Sequence, residues 1–141
     1  LNKPAQRIHE AIKSHPRVLA VYLFGSRAYG KPSKRSDYDV GILFREDYSL
    51  DDLLDVTIAL ARGLDVDYDS LDVVALNDVR VELAFEVIAK GKLVYSASEE
   101  ARVEFEVRVM REYIDLKPYL ELYDRLMLER LSKGASAPTA R

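Results

Sequence analysis

Cysteine is absent from this 141-residue chain. That excludes disulfide scaffolds, thiolate nucleophiles, Cys-ligated zinc and iron–sulfur clusters. Histidine is scarce, with only His9 and His15, so a His-rich metal site is not expected. There is no tryptophan, and one glutamine and two asparagines stand against thirteen arginines. That usage leans towards thermophilic proteins, with few amides and many surface ion pairs. No apolar run is long enough to cross a bilayer. The opening LNKPAQRIHE lacks the apolar core of a signal peptide. A cytoplasmic location without membrane attachment is therefore expected. What remains is 48% hydrophobic and 32% charged, the composition of one globular domain. Such a chain is long enough to bury a core without a covalent staple.

The formal net charge of −3 conceals a division. Residues 1–35 carry eight Lys or Arg against one acid, Glu10, which is +7 and leaves −10 for the rest. Residues 36–80 hold twelve acids against three bases. A basic loop thus runs into an acidic segment. Solvated surfaces of opposite sign would explain this. So would a site in which bases hold phosphates and carboxylates hold divalent cations.

Apolar spacing predicts a short opening helix that stops near Ser14-His15-Pro16, where proline forbids continuation. VLAVYLFGS follows as a strand apolar on both faces, hence central. Residues 25–36 read as a loop, and SDYDVGILF as a second strand. Ser49 with Asp52 predicts a capping box opening a helix, with Leu53, Leu54, Ile58 and Leu60 on or near its apolar face and Gly63 at its end. LDVVAL, residues 71–76, is a third strand. Asn77 is expected to cap a helix reaching Lys90, Gly91 to break it, and KLVYS to form an edge strand. Ser96 with Glu99 should open a long last helix, kinked or broken near Asp115–Lys117 by Pro118. Residues 132–141 read as a disordered polar tail, leaving 1–131 as the domain. Alternating strands and helices predict an α/β or α+β fold, a mixed sheet flanked by helices.

Three pieces of this chain suggest chemistry. Gly25-Ser26 ends a buried strand, where a glycine lets backbone approach a ligand and free N–H groups can cradle an anion. Asp37 and Asp39, at i and i+2 of a strand, project to one face. Two adjacent carboxylates repel unless a cation lies between them, and Mg²⁺ takes carboxylate oxygens while sharing its shell with substrate phosphates. Asp72 lies within an apolar strand, where an unpaired carboxylate would be costly. Asp65, Asp67 and Asp69 just before it read as a solvated acidic turn. Three carboxylates on adjacent strands could hold two Mg²⁺ ions for in-line attack on phosphorus. Arg27, Lys31, Lys34 and Arg35 could neutralise a triphosphate, with Arg27 nearest the turn, or form only a solvated basic loop.

Gly25-Ser26, ten residues, then Asp37-Tyr38-Asp39 resembles the signature of the DNA-polymerase-β-like nucleotidyltransferase superfamily. The fuller text GSRAYGKPSKRSDYDVGIL resembles its minimal nucleotidyltransferase (MNT) branch, as do LDVVAL, FEVIAKGKLVY and REYIDLKPYLELY downstream. The likeness extends from about Val18 to Leu131. It implies a small polymerase-β-like nucleotidyltransferase domain. Asp37 and Asp39 would be paired metal ligands. Asp72 would be the third, able to take a proton from the attacking hydroxyl. Gly25 and Ser26 would hold the triphosphate, with Arg27, Lys34 and Arg35 nearby. ATP would be the substrate and two Mg²⁺ ions the cofactors. The branch further implies an antitoxin that moves AMP onto a tyrosine of a HEPN-domain ribonuclease toxin.

Alternatives are an antitoxin that acts by binding alone, through residues 113–131, and a transferase for a small hydroxylated molecule or an RNA end. Tight nucleic-acid binding is not expected of an acidic chain whose basic excess sits in one loop.

Overall fold

Pro4 sits in the first turn of helix α1 (Lys3–Ile12), where its missing N–H costs no hydrogen bond. The computed structural model describes residues 3–25 and 38–133. Strand β1 (Val18–Phe24) follows α1, and β2 (Tyr38–Phe44) pairs with it antiparallel. Helix α2 (Leu50–Leu64) then carries the chain to β3 (Leu71–Ala75), which pairs parallel to β2. A 3₁₀ turn and helix α3 (Val81–Lys90) lead to β4 (Lys92–Ser96), antiparallel to β1 on its other side. Helix α4 (Glu99–Ser132) closes the described chain. The sheet order is β3-β2-β1-β4, so β1 is internal and β4 an edge, as the sequence predicts.

The apolar run of β1 is explained by cover on both faces. Val21, Leu23, Val40 and Ile42 point towards α1 and α2, meeting Ile8, Ile12, Val56 and Leu60. Ala20, Tyr22 and Leu43 point the other way, to Ala84 and Val87 of α3 and Phe105 and Val109 of α4. Each fully buried aliphatic side chain contributes about 1.5–3 kcal/mol before conformational entropy is subtracted. On the α4 face Tyr22 places its hydroxyl in that core, where it donates to Glu106 Oε2 at 2.6 Å. Arg102 donates to the same oxygen at 2.9 Å and also pairs with Glu99.

Several boundaries differ from expectation, each for a local reason. The Ser49–Asp52 capping box forms, with Ser49 N–H donating to Asp52 Oδ2 at 2.9 Å. Leu54, however, is exposed, and Val56, Leu60, Ala61 and Leu64 make the buried face. Gly63 does not end α2; it lies inside, where a Cβ would come within 2.9 Å of the Ala11 methyl, so it admits α1. Asp65 ends the helix instead, at φ 57°, a left-handed cap that Asp tolerates better than most residues. Asn77 does not cap α3, whose N-cap is Arg80. Its amide spans the Phe44 peptide groups, accepting from Phe44 N–H at 2.9 Å and donating to Phe44 C=O at 2.8 Å. Ser98, not Ser96, caps α4, its Oγ accepting from Ala101 N–H at 3.1 Å. Ser96 is the last residue of β4, paired with Ala20.

Of the kink or break expected near Asp115–Lys117, the break does not occur: α4 runs through Pro118. Proline removes one hydrogen bond, to the carbonyl four residues back. Helix formers surround it, and Lys117 and Glu121 bridge the turn at 4.0 Å. Helix α4 ends at Ser132, and residues 134–141 of the expected tail lie outside the described residues. No helix among the described residues is long and apolar enough to cross a membrane.

Two tyrosines link this packing to pH. The Tyr48 hydroxyl donates to the Asp78 carboxylate, which with partial burial pushes its pKa up to about 12. Burial first, then the Glu106 hydrogen bond, raises Tyr22 further above its ordinary value. Both stay protonated in the folded chain where the unfolded chain ionises. Their contribution is complete below pH 10, the ordinary tyrosine value, and is lost as pH rises towards the folded pKa. Melting temperature should therefore fall as pH rises from about 10 to 12. The fall should be shallower in Tyr48→Phe, which thermal melts at stepped pH will read.

Candidate active site

Strand β1 ends where β2 and β3 begin, and Asp39 and Asp72 belong to that end of the sheet. Parallel pairing of β2 with β3 sets Asp39 opposite Asp72. Register partners on adjacent strands share a face, so both lie on the face that α3 and α4 cover further along. On the other side of β2, Phe24 is the partner of Asp39. One residue on, Gly25 adopts φ +80°. That conformation favours glycine, and a second constraint reinforces it. A Cβ on Gly25 would lie 2.9 Å from Cγ of Asp39 and closer still to Oδ2. The backbone of Gly25 is thus pressed directly against the Asp39 carboxylate.

The structure brings Gly25, Asp39 and Asp72 to one place. Asp37, Ser26, Arg27, Lys31, Lys34 and Arg35 lie outside the described residues. The sequence points to Asp72 by its place in an apolar strand, yet Asp72 is exposed, because β3 is an edge strand. Its place beside Asp39 comes from strand register instead. Asp65, Asp67 and Asp69 are exposed, as expected of a solvated turn.

Sequence reading missed one supporting residue. Gly91 reads there only as a helix stop. In the fold a Cβ at Gly91 would lie 3.1 Å from the Leu23 carbonyl oxygen and 3.3 Å from Phe24 Cβ. Its bareness lets the end of α3 press on the last residues of β1 and so fixes where Gly25 emerges. The only sequence signal was a glycine between helix and strand, which has many commoner explanations.

Among the described residues, ligand atoms of His15, Asp52 and Asp55 lie within 4.8 Å of one another. Two of the three already have protein partners. His15 Nδ1 accepts from Arg17 N–H at 3.2 Å, so the neutral ring carries its proton on Nε2, which faces Asp52 at 3.8 Å. The other Asp52 oxygen accepts the capping-box N–H of Ser49.

The sheet and its helices define a small α+β domain with a carboxylate pair beside a glycine turn. Residues 6–100 match the family model described as polymerase beta, nucleotidyltransferase. The chain belongs to that family. It is 29% identical over 104 residues to the protein adenylyltransferase MntA of Shewanella oneidensis, spanning 72% of this chain and 70% of that protein. A solved structure described as a toxin-antitoxin with AMP-PNP aligns with TM-score 0.72 at 24% identity, covering 90% of this chain and 99% of that one. A complex of tri-AMPylated Shewanella oneidensis HEPN toxin with MNT antitoxin aligns with TM-score 0.66 at 21% identity, covering 88% and 96%. At these identities the two structures speak for the fold, which is that of a polymerase-β-like nucleotidyltransferase.

Proposed function

We propose that this chain is an ATP- and Mg²⁺-dependent protein adenylyltransferase. In this reading it moves AMP onto a tyrosine hydroxyl of a HEPN-family ribonuclease toxin and acts as its antitoxin. The observation that carries the reading is Asp39 in register with Asp72, against the bare backbone of Gly25. Family membership supplies the reaction class, and the named relatives supply the acceptor class.

The donors fit a hard divalent cation. Carboxylate oxygens are what Mg²⁺ takes, and two like charges side by side are relieved by one. Asp37, Asp39 and Asp72 are the residues that would hold two such ions. When bound, the ions supply Lewis acidity at the α-phosphate and stabilise the departing pyrophosphate. The rest falls to the chain. Gly25 and Ser26 receive the β- and γ-phosphates through backbone N–H groups, and the absent Cβ of Gly25 lets that backbone lie against the Asp39 carboxylate. Arg27, Lys31, Lys34 and Arg35 offset their charge. The tyrosine oxygen attacks the α-phosphorus, a phosphodiester bond forms, and the α–β bridging bond breaks. The hydroxyl proton passes to Asp72, which is exposed and so can release it to water.

Labelled ATP incubated with this chain and the HEPN protein encoded beside it should label a toxin tyrosine. The labelling should vanish on chelation with EDTA and return with Mg²⁺. Label on an RNA end or a small alcohol, with none on protein, would reassign the acceptor. A silenced toxin with no nucleotide transferred anywhere would leave a binding antitoxin as the surviving reading.

A further inference from the structure

Helix α4 contributes its buried residues, Phe105 and Val109, in its first half. Tyr113 stacks on Phe85 of α3 with ring centroids 4.0 Å apart, and no later residue of α4 is buried. About 20 residues, near 30 Å of helix, therefore lack cover on any side. Yet the apolar stripe does not stop. Tyr113, Leu116, Leu120, Tyr123 and Met127 recur at spacings of three, four, three and four. That 3.5-residue period is the seam of a helix pair, with Tyr123 left 62% exposed. Pro118 lies on the outer side of this seam, where a missing hydrogen bond does not disturb the contact.

We propose that the distal half of α4 pairs antiparallel with the same segment of a second copy of this chain. The charges identify the occupant. A two-fold axis across the helices maps each flank of the seam onto itself. With Leu120 set against the partner's Tyr123, Leu116 meets the partner's Met127 and Tyr113 the partner's Arg130. On one flank Lys117 then faces the partner's Asp124, and Met110 faces the partner's Leu131. On the other, Glu112 faces the partner's Lys133, and Tyr119 faces the partner's Leu126. Every flanking pair is opposite in charge or apolar on both sides. A parallel pair instead sets Arg130 against the partner's Arg130 and Tyr119 beside the partner's Asp124. Met110, Leu126 and Leu131 are all exposed in the single chain. Tyr119, Tyr123, Leu126 and Leu131, on the seam or its flanks, are each more than half exposed in the single chain.

Sedimentation equilibrium on the full chain reads the pairing. A dimer is expected, with Tyr123→Glu monomeric and unchanged in helical signal. Lys117→Asp should weaken the dimer about tenfold by setting like charges together twice. Adding Asp124→Lys to that variant should restore it. A wild-type chain monomeric at about 100 μM overturns the proposal. So does a dimer indifferent to Tyr123→Glu, or a charge swap without rescue. A chain that is monomeric alone but loses HEPN-toxin binding on Tyr123→Glu would assign the stripe to that protein instead. AMP transfer by the monomeric variant is a separate readout, so failure here leaves the transferase reading standing.

Discussion

Asp39→Asn is expected to lower AMP transfer by about 10³-fold or more while leaving the fold intact. The amide keeps the shape of the carboxylate, so the contact with Gly25 survives and only the charge is lost. The same charge lies beside Asp72 on the neighbouring strand. Like charges directly opposite in a sheet are destabilising by a few tenths of a kcal/mol to about 1 kcal/mol. The variant's melting temperature should therefore depend less on divalent ions than the parent's. Inactivity together with that lost dependence is what a functional charge pair predicts and a structural one does not. Turnover with labelled ATP beside a thermal melt measures both. Activity within threefold of the parent would remove Asp39 from the site. Gly25→Ala approaches the same contact from the other side. Its Cβ would drive the Asp39 carboxylate aside and force alanine to φ +80°, at about 1–2 kcal/mol of backbone strain.

Phe44→Ala should have the opposite profile. Phe44 is 1% exposed, packs in the cluster shared with α1 and α2, and stacks on Tyr48 with centroids 4.7 Å apart. Its N–H and C=O are both held by the Asn77 amide, so the backbone cannot collapse freely into the space left behind. A Phe→Ala change at such a site costs about 3–5 kcal/mol. Domains of this kind are stable by only about 5–15 kcal/mol. The expected fall in melting temperature is about 10–15 °C. Phe44 and Asp39 sit at opposite ends of β2, about 17 Å apart along the strand. Transfer activity per folded molecule should consequently be unchanged at low temperature. A urea midpoint shift at constant slope, paired with an activity assay at 10 °C below the new transition, checks both halves.

The elements themselves were legible because their signals are local. Pro4 and Pro16 bracket α1, Ser49 with Asp52 makes the box that opens α2, and an unbroken apolar run marks β1 as central. Boundaries failed where several residues could perform the same local task. Ser96 and Ser98 both suit an N-cap, and packing of β4 on β1 settled which one was free to serve. Asn77 reads as a cap by its type, but tertiary contact gave its amide the peptide groups of Phe44. Pro118 reads as a kink or a break, and a single lost bond within 34 residues of helix is too small a penalty to end it.

By itself the sequence determined which residue types are the candidates for chemistry: two acids at i and i+2, a glycine ending a buried strand, a third acid after an acidic turn. Periodicity and side-chain chemistry are properties of neighbours along the chain, so they can be read there. Only the tertiary structure decided that Asp72 belongs beside Asp39. Burial had been the reason to choose it, and that reason does not hold. The parallel register of β2 with β3 makes the pair, and register depends on how α2 returns the chain to the sheet. The contact of Gly25 with Asp39 likewise exists only once two strands are laid side by side, because no rule of spacing fixes a distance across a hydrogen-bonded ladder.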